Sequence, residues 1–477
     1  MRDGVVGQRA REMGEPRRTL VHAELATVPT AATAALPRSL NLLLQHRNVL
    51  LLQGPMGPFF DRLAGVLQRR GTTVTKVHFN GGDETFFSAG RALAFDGSAT
   101  EWEAWLRRLL CTEGQSAIVL FGQMRPLHQA ACGVAESLGV EVFVLEEGYF
   151  RPHYVTLEQG GVNARSRLPR DLAALRQARP PKPPRPADTR SRFRRAAWHA
   201  VRYAVATAAA RGRYPHYRHH RELGVAEALR WTRGGLRKLR YRLTERGLRQ
   251  RLYGEASRGN WFLVPLQVHN DSQVVHSDFG SIEVFVGNVI DSFADHAPPG
   301  SLLVFKHHPM DLSHRDYRRL LARLATECGV GDRVVYLHDG HLPTLLQRAR
   351  GMVTINSTSA LQALHHGCPV LTLGESFYTV DGLVRRGALH AFWREPGEVD
   401  PLLFARYRNL VVSECQLNAS FHGDAPVFDL LGGPPAVNEP RVRAPRFGLR
   451  SALQRSFVFA FTCCALASGV LAVALAT

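Results

Sequence analysis

The sequence predicts an α/β protein built from two doubly wound domains, joined by a basic helical insert and followed by an apolar tail. Three observations predict it. Short apolar, β-branched runs alternate with helix-length patterns in two separate blocks, as parallel βαβ units require. Between the blocks, from Arg165 to Arg258, the alternation stops and the chain carries 26 basic against 6 acidic residues. That segment accounts for the formal charge of +19 over all 477 residues, leaving the remainder close to neutral. Finally, 45% hydrophobic residues is an ordinary globular composition, and the length suits two or three cores, which excludes a wholly disordered or fibrous chain.

Residues 1–40 are rich in Ala, Arg and Thr and read as a flexible extension. Their start mixes acids with bases and lacks the apolar stretch of a secretory signal. The first domain is expected over 41–164. NVLLLQ (48–53) is a short apolar run that ends in the breaker cluster GPMGP, and 58–70 then reads as a helix. TTVTKVHF (72–79) is strand-like and ends in the turn NGGD. SAIVLF (116–121) leads through a loop to a helix at 126–138, and VEVFVL (140–145) runs into EEGY.

Residues 165–258 are expected to form an Arg-rich linker and helical insert. RPPKPPRP (179–186) is held extended by its prolines, and the rest is helical in composition with Tyr and Trp among the arginines. The second domain, 259–430, opens with NWFLVPLQ (260–267). It continues with SLLVFK (301–306), DRVVYL (332–337), GMVTIN (351–356) and PVLTL (369–373), separated by helical patterns. A linker bearing Pro, Gly and Arg follows over 431–455, and 456–477 carries no charge. As a helix that tail would run about 33 Å, close to the thickness of a bilayer core. Five arginines between 441 and 455 suit a cytoplasmic flank. A membrane anchor and a buried terminal helix both fit this composition.

Ligands of open α/β sheets bind beyond the carboxyl ends of the strands. The polar clusters fall there: QGPMGP, NGGD and EEGYFRPHY (146–154) in the first block. In the second they are QVHND (267–271), KHHP (306–309), HDGHLP (338–343), NSTSA (356–360) and GESFY (374–378). No G-x-G-x-x-G or Walker sequence is present, so dinucleotide and P-loop readings lose support. Asn356, Ser357, Thr358 and Ser359, at a strand-to-helix junction, offer hydroxyls and backbone N–H groups to a phosphate. Lys306, His307 and His308, followed by Pro309, could neutralise that phosphate from the next strand end. A helix cap at Ser357 or Thr358 would account for those hydroxyls equally well.

Glu146 and Glu147 are neighbours on one strand end, so only one faces the cleft, whereas Asp271 lies in a polar turn with no obvious helix to cap. Two carboxylates meeting across a cleft are what glycosyl transfer uses, one as acid or base and one as nucleophile or charge stabiliser. No H-E-x-x-H or His/carboxylate ladder suggests a metal, and seven cysteines without a C-x-x-C suggest neither disulfide framework nor zinc site.

QGPMGPFF, FNGGD, EEGYFRPHYVTLE, FKHHPMD, HLPTLL, TINSTSALQAL, PVLTLGESFY and GLV…FW occur in that order. With these motifs the chain resembles the capsule polysaccharide biosynthesis/export proteins of the KpsS/LipB type, over roughly residues 46–160 and 259–425. The resemblance implies two Rossmann-like domains in a GT-B-like arrangement, with the first taking the acceptor and the second the donor. It implies a retaining β-Kdo transferase that uses CMP-Kdo, with no cofactor required, to build the Kdo linker on a phosphatidylglycerol-type lipid. By the same resemblance, His308-Pro309 and Ser357-Thr358 hold the CMP phosphate, Asp271 is the nucleophile, and Glu146 or Glu147 is the acid/base. The HP and Ser/Thr elements are also similar to those of bacterial sialyltransferases.

Such a protein is expected at the cytoplasmic face of the inner membrane, peripheral or tail-anchored, beside other capsule biosynthesis and export proteins. The extension, the Arg-dense insert and the apolar tail depart from the family. Besides a transferase of another CMP-sugar, two other readings compete. One is a non-catalytic adaptor of the export machinery. The other is a nucleic-acid-binding protein, for which no zinc finger, RNP sequence or helix-turn-helix accompanies the charge. Anionic lipid is the better partner for the insert, and no nucleic acid is expected.

Overall fold

In the computed structural model, which describes residues 36–191, 193–219, 225–275 and 277–432, the first block folds around β1 (Asn48–Leu51). β1 lies between β2 (Thr73–His78) and β4 (Ala117–Phe121), with β3 (Arg91–Ala94) outside β2 and β5 (Glu141–Glu147) outside β4, all parallel. A strand covered on both faces needs apolar side chains on both. Val49 and Leu51 accordingly enter one core with Phe59, Leu63 and Phe143, while Leu50 and Leu52 enter another with Trp102, Leu106 and Leu120. The helices Phe59–Arg69, Ala99–Thr112 and Pro126–Ser137 supply the covering faces.

The sheet then reverses. β6 (Tyr154–Gln159) runs antiparallel to β5, and β13 (Gln416–Asn418), from far along the chain, adds antiparallel to β6. Leu417, Phe421 and Phe428 join the core of the first domain, so the cores do not divide at the expected boundary of 430. The second domain's own packing ends at Cys415, and the chain returns to the first.

The second sheet is parallel throughout, in the order β12 (Arg385–Arg386), β11 (Val370–Thr372), β10 (Gly351–Thr354), β7 (Trp261–Pro265), β8 (Leu302–Lys306), β9 (Val334–Leu337). Its two faces are covered by separate clusters around Trp261 and Leu361 and around Phe262 and Phe293.

The basic segment is not a free linker. Residues 178–191 are neither helix nor strand, as their prolines require, and Thr189 O accepts from Asp424 N at 2.6 Å. The helix Phe193–Ala209 then crosses the ends of β1 and β2, seated on glycines: a Cβ at Gly81 would lie 2.3 Å from Ala206 O, and one at Gly82 2.6 Å from the Tyr203 ring. The helices Val225–Thr244 and Arg246–Tyr253 pack on the other domain, where Arg237 Nη1 donates to Leu312 O at 2.9 Å and Tyr241 stacks on His338 at 3.8 Å.

The carboxyl ends of the two sheets face each other. Tyr149 of the first stacks on Phe377 of the second at 3.7 Å, and Arg170 reaches Glu375 at 3.4 Å. Two Rossmann-like domains in a GT-B-like arrangement, bridged by a basic helical insert, is therefore the architecture. The expected flexible extension of 1–40 is corrected at its end, where Arg38–Leu43 is helical and Leu36 and Leu40 are buried in the first core. Its residues through 35, the linker beyond 432 and the apolar tail lie outside the described residues. Among the described residues, no helix is long and apolar enough to cross a membrane.

Candidate active site

The second sheet changes direction between β7 and β10, because the chain leaves β7 toward β8 on one side and leaves β10 toward β11 on the other. Loops diverge there and open a crevice. Gln267 and Asn356, both buried, meet in it: Gln267 Nε2 donates to Asn356 Oδ1 at 3.1 Å and to Asp271 Oδ2 at 3.3 Å. Asp271 Oδ1 also accepts from Gln273 N at 3.0 Å. The sequence reading that Asp271 has no helix to cap is thus corrected: it caps the short turn Ser272–Val275, while its carboxylate is still only partly buried.

The KHHP cluster divides by depth. Lys306 is buried, donates from Nζ to His307 O at 3.3 Å, and is pushed by desolvation down to about 8. It stays mostly protonated at neutral pH and lends positive potential from below. His307 is buried with Nδ1 bonded to the Tyr336 hydroxyl at 2.5 Å, and burial drives it down to about 4, so it is neutral and structural. Of the three basic residues, His308 alone is partly exposed. Its Nδ1 accepts from Met310 N at 3.2 Å; burial lowers its pKa, as does Lys306, while Asp311 and Asp271 act the other way. Arg151 of the first domain also acts on it across the cleft. Pro309 opens the turn that follows.

In the NSTS cluster, Ser357 Oγ accepts from Ser359 N at 3.3 Å and bonds Ser359 Oγ at 2.9 Å, so capping does occupy Ser357. Thr358 makes no side-chain cap bond at the start of the helix Ser359–His365. Of the glutamates, Glu147 is exposed, and Glu146 is partly buried with its Oε1 accepting from Glu147 N at 3.2 Å. Burial raises the Glu146 pKa, against the hydrogen bond from Glu147 N, which lowers it; the Glu147 charge raises it further, and Arg125 and Arg151 oppose that.

The sequence reading missed a His–Asp pair. His269 Nδ1 bonds Asp311 Oδ1 at 2.6 Å, and the buried Asp311 also accepts from His269 N at 2.9 Å. Such a carboxylate fixes the tautomer with the proton on Nδ1 and leaves Nε2 for a ligand or proton. Both residues stand in quoted motifs, QVHND and FKHHPMD, but 42 positions apart no spacing rule joins them. The HDGHLP cluster, in contrast, holds the insert: Glu245 accepts from His338 N and Asp339 N at 3.0 Å each. A polar cavity of about 430 Å³, lined by Arg258, Arg348, Arg350 and His366, lies at the opposite, amino edge of the sheet, away from this crevice.

The family model described as "Capsule polysaccharide biosynthesis protein" matches residues 116–422. The capsule polysaccharide export protein KpsS of Escherichia coli is 39% identical over 80% of this chain and 99% of its own length. The capsule polysaccharide modification protein LipB of Neisseria meningitidis is 38% identical over 80% of this chain and 93% of its own. Among solved structures, the KpsC β-Kdo 2,4 transferase of Thermosulfurimonas dismutans is 14% identical with a TM-score of 0.39, covering 76% of this chain and 90% of that one. A family model matching more than half of the chain, and relatives aligned over four-fifths of it, establish that this protein belongs to the capsule polysaccharide biosynthesis protein family.

Proposed function

We propose that the protein is a retaining β-Kdo transferase, which uses CMP-Kdo to build the Kdo linker on a phosphatidylglycerol-type lipid during capsule assembly. One observation carries this reading: a carboxylate from each domain stands at facing strand ends, in surroundings that suit opposite roles. Asp271 is held in place by two hydrogen bonds to its carboxylate, as a nucleophile must be, whereas burial raises the Glu146 pKa and so makes its ionised carboxylate a stronger base for the acceptor proton. In the first step Asp271 attacks C2 of Kdo as the C2–O bond to phosphate breaks, and CMP leaves with the electron pair. In the second, the acceptor hydroxyl attacks C2, Glu146 takes its proton, and the bond to Asp271 breaks. Two inversions give retention.

His308, Thr358 and the backbone around Asn356 and Ser359 face the CMP phosphate, with Lys306 beneath and His269 Nε2 beside them. No cofactor enters these steps. The exposed Arg233 and Arg240 of the insert place the enzyme on an anionic membrane surface, at the cytoplasmic face of the inner membrane and beside other capsule proteins.

The test is transfer itself. Purified protein, freshly generated CMP-Kdo and a short fluorescent phosphatidylglycerol should yield a product heavier by one or more Kdo residues. If neither that lipid nor its Kdo-bearing form accepts sugar, the reading fails in favour of a non-catalytic adaptor.

A further inference from the structure

The first sheet has a switch point of its own, between β1 and β4, and the donor chemistry leaves it unused. Arg125 stands just beyond β4, at the start of the helix Pro126–Ser137. Its Nη1 donates to Gln53 Oε1 at 2.9 Å, and its guanidinium lies over the Phe121 ring at 5.0 Å. Gln53, just beyond β1, cannot turn freely, because its Nε2 donates to the Tyr203 hydroxyl at 3.0 Å and the Tyr217 hydroxyl at 2.7 Å. Both tyrosines belong to the Arg-rich insert. They fix the Gln53 amide with its carbonyl toward Arg125.

Arg125 has no carboxylate within ion-pair distance among the described residues, although desolvation presses its pKa down. A guanidinium carries five N–H donors, and one of them is spent on Gln53. A cation partly withdrawn from water, with donors in reserve and its carboxylates, Glu146 and Asp83, acting only at longer range than an ion pair, is a binding group for an anion. Glu146 is within electrostatic reach of Arg125 and Arg151. The unspent donors therefore sit in the domain that carries the acid/base, apart from the donor-phosphate cluster of the other domain.

We propose that Arg125 binds an anionic group of the acceptor, a phosphodiester or a carboxylate, and that Gln53, Tyr203 and Tyr217 are positioning residues that aim it. The inference rests on the reading of the first domain as the acceptor side. It gives the insert a role in the site as well as at the surface.

The test uses binding, so it does not depend on turnover. Full-length protein saturated with CMP is titrated calorimetrically with three soluble probes: dihexanoylphosphatidylglycerol, octyl glucuronide and the uncharged octyl glucoside. The wild type should bind at least one anionic probe about tenfold more tightly than octyl glucoside, the size expected for a hydrogen-bonded charge. Which one it prefers separates phosphodiester from carboxylate. R125Q should abolish that preference, R125K should keep part of it, and Y203F should reduce it, all with CMP affinity unchanged.

A wild type without anionic preference, or R125Q with the preference intact, overturns the proposal. If R125Q fails to bind CMP and is misfolded, R125K and Y203F decide, and an undiminished preference in both overturns it. Anionic preference without any Kdo transfer sinks the transferase reading and keeps the site. Transfer without that preference does the reverse.

Discussion

Asp271 and Glu146 occupy equivalent places at strand ends, and their neighbours separate them. Asp271→Asn keeps the shape and the cap, since Asn serves as well as Asp at that position. The variant should fold and bind CMP as before, yet transfer Kdo more slowly by at least ~10³, because a neutral amide is no nucleophile. Intact-mass spectrometry of the wild type after CMP-Kdo exposure without acceptor should find a Kdo adduct, mapping to Asp271; an adduct on Glu146 would reverse the roles. For Glu146 the sign follows from burial, which raises its pKa. A base must be ionised, so kcat/KM should rise with pH through a midpoint above the usual carboxylate range, and Glu146→Gln should lose that limb together with the activity. His308 makes one backbone bond, so His308→Ala should weaken CMP binding with little change in thermal midpoint. Ser357→Ala should weaken it too but also cost about 0.5–1 kcal/mol of stability, through the lost cap. That Asp271, Glu146 and His308 stand at or just beyond strand ends was legible in the sequence, because each lies in a polar motif that follows an apolar run. The His269–Asp311 pair and the Arg125–Gln53 contact were not, because they form only when separate strands are laid side by side.

Buried strands announce themselves and edge strands do not. β1, β4, β7, β8 and β10 are apolar on both faces and were readable from composition alone. β3 is largely exposed, β12 is two residues long and β13 three, so none carries a pattern long enough to detect. The glycines of NGGD looked like a turn, but their purpose is close approach of the insert helix. Gly82→Val should push Tyr203 away and release the Phe193–Ala209 helix, which limited proteolysis within 178–219 would register as faster cleavage. Gly133→Ala, whose new Cβ meets nothing within 4 Å, should leave cleavage unchanged. Lys76 in β2 offers a pH test. It is buried, and desolvation lowers its pKa to about 8, against about 10.4 when unfolded. Below pH 8 both states hold the proton and the folded state bears a cost of about 3 kcal/mol; between pH 8 and 10 the unfolded state holds more protons, so stability rises with pH. Lys76→Met should therefore raise the unfolding free energy at pH 7 and lose its advantage as the pH approaches 10.

At the scale of the whole molecule, charge and apolar surface coincide on one element. Arg233, Leu236, Arg240 and Leu243 recur at helical spacing on Val225–Thr244, all exposed, with Leu236 at 60% and Leu243 at 69%. A face of arginines and leucines suits an anionic bilayer surface better than bulk water, each cation adding about 1 kcal/mol near that surface. The tail 456–477, without a charge, would add an attachment of a different kind. Salt separates the two. Electrostatic attraction weakens as the Debye length shortens from about 10 Å at 0.1 M to about 3 Å at 1 M, whereas an inserted apolar helix is indifferent to it. Protein truncated after residue 455 should bind phosphatidylglycerol-containing vesicles at 0.1 M salt, ignore purely zwitterionic ones, and wash off by 1 M. Arg233→Gln with Arg240→Gln should lower the salt needed to release it, and Leu236→Ser with Leu243→Ser should weaken binding at every salt concentration. Full-length protein should resist the 1 M wash if the tail inserts. If it washes off as readily as the truncated form, the tail is no anchor and the insert helix alone must bring the acceptor-side crevice to the lipid.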